Sequence, residues 1–452
     1  MAVTPSSELL AGLSEFLAIP SVSNDHAHEG DMRRAADWVA AGLDWANGRV
    51  VETAGNPVVL AEWLGRPGAP TILVYGHYDV QPPGDEAEWQ TPPFEPSVRD
   101  GRIYARGATD DKGPVLVALE TGRRLHEETG GLPLNVRFLI EGEEEIGSPS
   151  LGGFLAAHRE ELAANFVVSA DGAMWRASEP SVSIAAKGLV AFDLVVEGAA
   201  TDLHSGRHGG AVQNPNHALA RIVASLHRDD GAVAVDGFYD GIEPLSDADR
   251  ESLRQIPFDE ETYRTSIGAR ELHGEPGYTT LERLWTRPTL EVNELCGGGA
   301  FTVIPRLARA HLTSRLVPGQ QPEAVGEALA AHVARVAPPG ASARVEVQPG
   351  AVRAYVIAAE HPAVQAAMHA LRHVYADDEP LLVRIGGTLP AAVLFEEILG
   401  LKTLLFSFST SDEQLHAPNE FFRLSRIEEG IAAWSELWRT LATATDRTAA
   451  VR

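Results

Sequence analysis

The chain has almost no cysteine, since Cys296 is the single one among 452 residues. One thiol can form no intramolecular disulfide and no thiolate cluster for zinc, so any metal must bind to histidine and carboxylate. Such cysteine usage fits a reducing compartment. The length predicts two or three domains, and 44% hydrophobic with 22% charged residues is typical of globular proteins. A disulfide-stapled scaffold and global disorder are therefore excluded.

The sequence also lacks a long apolar run and an excess of basic charge. Three charged residues interrupt its most apolar stretch, 389–408, which excludes a membrane-spanning helix. Residues 1–23 carry two glutamates and no basic segment, so no signal peptide is predicted. With 37 Lys+Arg against 63 Asp+Glu, the net charge of −26 repels phosphate backbones and anionic membranes. We therefore expect a soluble, cytoplasmic protein that binds neither nucleic acid nor membrane.

Strand-like and helical segments alternate in the first part of the chain. Residues 71–74, 135–140 and 166–170 predict strands, and residues 114–127 predict a helix between the first two. This alternation predicts an α/β layer, in which the reactive side chains gather beyond the carboxyl ends of the strands. Each of the three predicted strands is followed by His, Asp or Glu.

The pattern changes near Gly188, where apolar and polar residues begin to alternate as in half-exposed antiparallel strands. The segments concerned are the predicted strands 192–197 and 310–317 and the predicted helices 215–227 and 322–336. We predict an inserted smaller α+β domain over 188–354, between a first part, 1–187, and a second part, 355–452, of the first domain. Residues 229–275 show no clear pattern.

Clusters of histidine and acidic residues follow the predicted strands: His77 with Asp79, Asp110 with Asp111, Glu143 to Glu145, Asp171, and later His416. Taken one at a time, each cluster has an ordinary structural explanation, such as a histidine at a strand end, a helix N-cap or a solvated acidic loop. Three adjacent carboxylates after a buried strand, however, repel one another unless a cation lies near them. Together the clusters predict a metal site.

Four ordered motifs are specific enough to indicate a family: Gly-His-Tyr-Asp-Val-Gln-Pro at 76–82, Asp-Gly-Arg-Ile-Tyr-Ala-Arg-Gly at 100–107, Thr-Asp-Asp-Lys-Gly-Pro at 109–114 and Glu-Gly-Glu-Glu-Glu-Ile-Gly-Ser at 141–148. They resemble the signature of the M20 metallopeptidases, most closely the carnosine-dipeptidase type, from about residue 10 to about residue 440. The resemblance implies an α/β zinc-peptidase-like catalytic domain with helices on both faces of a mixed sheet. It also implies an inserted lid and dimerisation domain.

The resemblance further implies two divalent metal ions. Zn²⁺ is the expected ion and Mn²⁺ or Co²⁺ are alternatives, because all three accept imidazole and carboxylate ligands. Matched by motif, the ligands are His77 and Asp171 for one ion, Glu145 and His416 for the second, and Asp110 as a bridge between them.

Two further carboxylates have implied roles at this centre. Asp79 would fix the tautomer of His77 through the other ring nitrogen. Glu144, which is next to a ligand without being one, would take a proton from the attacking water and pass it to the leaving amine. The resemblance also implies a cis peptide between Asp110 and Asp111.

The inserted domain carries the implied substrate contacts. Residues 202–206, Asp-Leu-His-Ser-Gly, resemble a segment that reaches the active site of a partner subunit, so His204 would act in trans within a homodimer. Thr302, Arg315 and Thr388 match positions that contact the substrate backbone and its carboxylate. From the residues alone, His204 could equally cap a turn, and Arg315 could be an outward residue of an alternating strand.

The sequence thus predicts an enzyme that hydrolyses the amide bond of dipeptides or similar small peptides, with the water activated by Glu144. An N-acyl amino acid deacylase of the same superfamily shares every metal ligand and is an alternative. A non-catalytic, metal-stabilised binding protein is a further alternative, although such a protein would be expected to have lost the base or a ligand. An NAD-dependent enzyme is excluded, because no Gly-x-Gly-x-x-Gly follows the first strand.

Overall fold

The computed structural model describes residues 4–448. Its helices are, in chain order, α1 (Ser7–Leu17), α2 (Glu29–Gly42), α3 (Lys112–Thr129), α4 (Leu151–Ala157), α5 (Ser205–His208), α6 (Pro215–Ala224), α7 (Asp247–Arg254), α8 (Glu260–Ser266), α9 (Thr280–Thr286), α10 (Pro322–Val336), α11 (Pro362–Val374), α12 (Pro390–Leu394) and α13 (Leu424–Thr448).

Its strands are β1 (Arg49–Val51), β2 (Val58–Trp63), β3 (Thr71–His77), β4 (Ser97–Arg99), β5 (Arg102–Tyr104), β6 (Asn135–Glu141), β7 (Phe166–Ser169), β8 (Ser181–Ala186), β9 (Gly188–Glu197), β10 (Leu203–His204), β11 (Thr289–Cys296), β12 (Val303–Ile304), β13 (Leu307–Leu316), β14 (Ser342–Val347), β15 (Tyr355–Val356), β16 (Leu381–Ile385), β17 (Thr403–Leu405) and β18 (Phe421–Arg423). Within residues 4–448, no helix is both long and apolar enough to cross a membrane.

The described residues form two compact units. Within the described residues, unit 1 draws on 4–184, 357–383 and 390–448, and unit 2 on 185–356 and 384–389. Residues 384–389 therefore belong to unit 2, although they follow the end of the predicted insertion.

Unit 1 is built on a mixed sheet with the strand order β1-β2-β6-β3-β7-β17-β8, in which β3 runs parallel to both β6 and β7. Neighbouring side chains on a strand point to opposite faces. Tyr75 packs on one face with Phe395 at 5.1 Å between ring centroids, in the same apolar cluster as Phe154 of α4. Gly76 lies against α3, where a β-carbon would come within 2.6 Å of Val115. Helices thus cover both faces, and the predicted α/β fold is confirmed.

The carboxyl ends of β3, β6 and β7 lie at one edge of this sheet, because the three strands are parallel. These are the strands predicted from residues 71–74, 135–140 and 166–170, and all three are confirmed. His77 is the last residue of β3, and Asp171 follows the end of β7 by two residues. The architecture therefore brings the predicted ligand clusters to one place.

Unit 2 contains an antiparallel sheet in the order β11-β13-β9-β14. β9 pairs with β13 along its whole length, from Gly188 opposite Leu316 to Glu197 opposite Leu307. The buried side chains of this sheet pack with those of α6 and α10 in one apolar core, so the predicted α+β character is confirmed. The segment 229–275, which showed no pattern, contains the short helices α7 and α8 and the turns around them.

Candidate active site

Two groups of possible metal ligands lie in unit 1 at the carboxyl edge of its sheet. His77, Glu144 and Asp171 form one group, and Asp110, Glu145 and His416 form the other. In each group the ligand atoms lie within 4.8 Å of one another. All five predicted ligands are therefore present in these two groups, and the predicted base lies beside two of them.

Asp110 is placed between the two groups. Its Oδ1 lies 3.1 Å from Nε2 of His77, and its Oδ2 lies 2.9 Å from Nε2 of His416. Glu145 Oε2 is 3.2 Å from the same nitrogen of His416. His416 has a φ of 59°, a left-handed conformation that is strained for a side-chain-bearing residue and often found at functional sites. One carboxylate thus faces both histidines, as a shared ligand would.

The loop that carries Asp110 is held by a buried glutamate, Glu420. Its carboxylate accepts hydrogen bonds from the backbone N–H groups of Gly107 (2.9 Å), Thr109 (2.9 Å) and Asp110 (3.2 Å), and from the guanidinium of Arg106 (2.7 Å). Sequence reasoning missed Glu420. It is four residues from His416, but its contacts span more than 300 positions of sequence, so no local signal could have found them.

Asp111 does not cap the helix that follows it, although it occupies the N-cap position of α3. Its side chain accepts no capping hydrogen bond. Instead its Oδ2 accepts the backbone N–H of His77 at 3.2 Å, so it positions a ligand strand. The peptide between Asp110 and Asp111 is cis, which confirms the expectation from the resemblance.

Asp79 is buried beside His77 and holds the loop after β6. Its two carboxylate oxygens accept the backbone N–H groups of Glu144 (3.2 Å) and Glu145 (3.1 Å). The backbone carbonyl of Asp79 is 3.0 Å from His77 Nδ1, and its carboxylate is 3.4 Å from that atom. Two acceptors at Nδ1 favour a proton there, so in the neutral ring Nε2 is the nitrogen whose lone pair is available to a metal ion.

A further residue that sequence reasoning missed is Gln81. Its side-chain amide donates to the backbone carbonyl of Glu145 at 3.0 Å and to the Oε2 of the same residue at 2.9 Å. Gln81 lies within the 76–82 motif, but the sequence does not show which atoms its side chain contacts. It orients the carboxylate of a predicted ligand.

Two carboxylates of the cluster, Asp171 and Glu144, resist ionisation. Burial raises the pKa of Asp171 to about 7, and the negative charges of Asp110 and Glu145 add to the effect. Burial, followed by the nearby charge of Asp171, also raises the pKa of Glu144 well above its usual range. Groups of like charge gathered out of water cannot all be charged without a compensating cation.

The pKa values of the two histidines are raised, so both rings favour the protonated, positively charged form. Burial by itself would lower the pKa of His77, but hydrogen bonds to Asp110 and Asp79 raise it well above the usual value. Hydrogen bonds to Asp110 and Glu145 raise the pKa of His416 to about 10. Without metal, protons on the histidines therefore partly compensate the negative charge of the carboxylates. The same imidazole and carboxylate groups are ligands that suit a zinc-class divalent ion. The residues present fit such an ion.

In unit 2, the structure brings His204 and Thr302 together through the pairing of β10 with β12. His204 caps α5, since its Nδ1 accepts the N–H of Gly206 at 3.0 Å. The capping role considered from the sequence is therefore confirmed. Because Nδ1 accepts, the neutral ring must carry its proton on Nε2. The exposed histidine can thus cap the turn and donate a hydrogen bond outward.

Arg315 and Thr388 form a second pair in unit 2, with Arg315 Nη1 donating to Thr388 Oγ1 at 2.8 Å. Arg315 does point away from the face of β13 that carries the buried Ser314 and Leu316, as its alternating pattern predicts. It is nonetheless partly buried, and it lines a cavity of about 710 Å³.

Comparisons with known proteins agree with this geometry. The model of peptidase family M20/M25/M40 matches residues 73–440. The Cys-Gly metallodipeptidase dug1 of Schizosaccharomyces pombe is 30% identical over 463 residues, covering 96% of this chain and 96% of its own. The Beta-Ala-His dipeptidase of Homo sapiens is 30% identical over 398 residues, covering 85% of this chain and 78% of its own. The solved M20 family metallo-carboxypeptidase Sso-CP2 from Sulfolobus solfataricus has a TM-score of 0.84 and 30% identity, covering 97% of this chain and 100% of its own.

Proposed function

The chain belongs to peptidase family M20/M25/M40, and on that premise we propose a mechanism by which its residues hydrolyse the amide bond of dipeptides. Metallodipeptidases are among its relatives, so the chain is a metal-dependent amide hydrolase. The single observation that carries the mechanism is Asp110, whose two carboxylate oxygens lie 3.1 Å and 2.9 Å from the ring nitrogens of His77 and His416.

We propose that two divalent ions bind here, Zn²⁺ in the first place, with Mn²⁺ and Co²⁺ as alternatives. The proposed ligands are His77 and Asp171 for one ion, Glu145 and His416 for the other, and Asp110 for both. When bound, the ions would polarise the amide carbonyl and lower the pKa of the attacking water. Asp79 and Gln81 hold the ligands by the hydrogen bonds described above, so the site is ordered before substrate arrives.

We propose that Glu144 takes the proton of the attacking water on its carboxylate and then gives it to the leaving amine. Two contacts support this role. Its backbone N–H donates to the carboxylate of Asp79 at 3.2 Å, which fixes the backbone position from which the side chain extends. A carboxylate oxygen of Glu144 lies within 4.8 Å of ligand atoms of His77 and Asp171, so it can reach a water placed beside them.

Unit 2 would supply the substrate contacts and the dimer interface, as the lid and dimerisation domain predicted over 188–354. Arg315 and Thr388 would hold the substrate carboxylate, for which the planar guanidinium is suited, and Thr302 would contact the backbone. His204 would donate its Nε2–H to the developing oxyanion in the active site of the other protomer. Its exposure supports this role in a homodimer. Mixing an inactive Glu144→Gln chain with an inactive His204→Ala chain should then restore part of the activity.

A cytoplasmic location is also part of the proposal. Its support is that Cys296 is the single cysteine, so no intramolecular disulfide can form, which is typical of proteins in a reducing compartment. Fractionation of cells that express the protein at native levels would test it.

The function is tested with metal-free protein reconstituted with Zn²⁺, Mn²⁺ or Co²⁺ against dipeptides, longer peptides and N-acetyl amino acids, with a chelated control. Metal-dependent cleavage of dipeptides is the expected result. Cleavage of N-acetyl compounds alone would favour the deacylase alternative. Release of C-terminal residues from longer peptides alone would favour an activity like that named for Sso-CP2. No cleavage with any metal would contradict the proposal.

A further inference from the structure

The cavity of unit 2 has an unusual charge content for this protein. The chain as a whole carries a net charge of −26, yet more cations than carboxylates line this cavity of about 710 Å³. The cations are Lys187, Arg283, Arg287 and Arg315, and the carboxylates are Glu271, Glu275 and Glu291. Arg287 is neutralised by Glu275, to which it donates at 2.7 and 2.8 Å.

Lys187 and Arg315 have no such partner. Lys187 is only 4% exposed, and its ammonium donates to the backbone carbonyl of Arg283 at 3.2 Å. Arg315 donates to the hydroxyl of Thr388. Among residues 4–448, no carboxylate oxygen lies within 4.0 Å of either cationic group. Two neighbouring cations thus line one cavity without a carboxylate in direct contact, and Glu291 acts on Lys187 only from a longer distance.

This arrangement is costly unless an anion joins it. An ammonium removed from water needs a paired charge or it tends to lose its proton. Burial lowers the pKa of Lys187 to about 8, the positive charge of Arg315 adds to the effect, and the negative charge of Glu291 opposes it without cancelling it. The negative charge of a carboxylate bound between the two cations would offset both effects. The cavity is therefore complementary to an anionic ligand.

We propose that Lys187 is a substrate-binding residue that, together with Arg315, holds a carboxylate of the C-terminal residue of the substrate in this cavity. The inference rests on the proposed function and deepens it, because the family motifs predicted Arg315 and Thr388 but not Lys187. The carboxylate is either the α-carboxylate or an acidic side chain of that residue, and the chemistry of recognition is the same for both.

Steady-state kinetics of three variants test this role. Lys187→Met keeps much of the length of the side chain without its charge, and Lys187→Arg keeps a cation. The matched control is Arg309→Met, which removes an exposed arginine from the strand that carries Arg315. The substrates are Ala-Gly, its C-terminal amide and Ala-Glu. For the free acids, Lys187→Met should lower kcat/KM by about 10- to 100-fold, mainly through KM, while Lys187→Arg restores most of the loss. The amide should be hardly affected.

The pattern of loss identifies the carboxylate. A loss on both Ala-Gly and Ala-Glu supports recognition of the α-carboxylate, and a loss on Ala-Glu alone supports recognition of the side chain. If Lys187→Met matches Arg309→Met on every substrate, or loses activity on the amide equally, the proposal is overturned.

Calorimetry provides a test that needs neither turnover nor the methionine variant. Glycine and glutamate are titrated into the metal-loaded wild-type protein at pH 8 in two buffers of different ionisation enthalpy. A carboxylate that binds beside Lys187 favours its protonated form, so binding should take up as much as roughly half a proton. Lys187→Arg should show no such uptake, because arginine does not titrate there. Equal uptake by both proteins overturns the proposal. If the wild type cleaves no dipeptide but shows the linked uptake, the proposed function fails and Lys187 remains an anion-binding residue.

Discussion

The ligand cluster of unit 1 and the cavity of unit 2 carry opposite imbalances of buried charge. In the cluster, Asp110, Glu144, Glu145 and Asp171 outnumber His77 and His416. In the cavity, Lys187 and Arg315 make their hydrogen bonds to a backbone carbonyl and a hydroxyl, and among the side chains that the structure describes no carboxylate pairs directly with either. Both imbalances arise on well-packed units, so neither reflects loose folding.

The comparison shows how each region indicates its ligand. Charge buried without compensation costs free energy, and it persists where a ligand of the opposite sign completes the site. The cluster needs cations, and its imidazole and carboxylate donors suit divalent metal ions. The cavity needs an anion, which a peptide substrate supplies as its carboxylate. Hydrolysis of a short peptide requires both kinds of region, and changes to the two regions should therefore affect different steps.

The largest effect should come from Glu144→Gln. We expect kcat to fall by about 10² to 10⁴, the range for a lost general base, while metal content and KM change little. Elemental analysis and steady-state kinetics of the same preparation check this. Glu128→Gln, an exposed change of the same kind on α3, is the control. Near-normal kcat in the Glu144 variant would remove that residue from the mechanism.

The affinity of the cluster for metal and the affinity of the cavity for the substrate carboxylate should change with pH in opposite directions. In the metal-free cluster, burial raises the pKa of Asp171 to about 7, and Asp110 and Glu145 raise that of His416 to about 10. Both groups must lose their protons to bind a metal, so affinity should fall as pH drops from about 8 to about 6, about tenfold per pH unit for each proton released. Binding of a substrate carboxylate beside Lys187 should instead weaken above about pH 8, where the lysine loses its proton.

Competition between the protein and a chelator for Zn²⁺ between about pH 6 and about pH 8 measures the first dependence, and KM for Ala-Gly at pH values below and above about 8 measures the second. A metal affinity that does not change with pH would show that the cluster is already deprotonated without metal.

Arg315→Met should raise KM for free-acid dipeptides by about 10- to 100-fold, because a charge-assisted hydrogen bond to the carboxylate is lost. Metal content should be unchanged, since Arg315 lies in unit 2 and the ligands lie in unit 1. Arg309→Met on the same strand is the matched control. A fall in kcat with KM unaltered would be the wrong signature for a residue that binds substrate.

The smallest effect should come from Gln81→Met. This change removes the two hydrogen bonds from the Gln81 amide to Glu145, at 3.0 and 2.9 Å. We expect metal affinity to fall by about two- to tenfold, which is the usual net value of a neutral hydrogen bond. Zn²⁺ titration against a chelator measures it, and an unchanged affinity would mean that Glu145 needs no such support.

Much of unit 1 could be predicted from sequence, because its signals are local. β3, β6 and β7 are short apolar runs that end where the reactive residues begin, and parallel strands bring those ends together. The motifs that contain the predicted ligands can therefore be recognised one strand at a time, while the assignment of ligands to two ions comes from the family resemblance. Glu420 could not be predicted, because its partners at 106–110 become neighbours only after the chain has folded.

Unit 2 was harder to predict for a physical reason. α7 and α8 have eight and seven residues, too few turns for an apolar period to show. Their N-caps, Ser246 and Asp259, were the available signal. Lys187 follows two alanines, and nothing in that short sequence shows that its ammonium is buried beside Arg315.

The central claim is that the cluster around Asp110 holds two ions that the reaction requires. The most direct test is a titration of metal-free protein with Zn²⁺, in which bound metal and cleavage of Ala-Gly are followed in the same samples. We predict that activity keeps rising until two equivalents per chain are bound, and that Asp110→Asn neither binds two ions tightly nor becomes active. Full activity at one equivalent, or activity that survives in the chelated protein, would contradict the account.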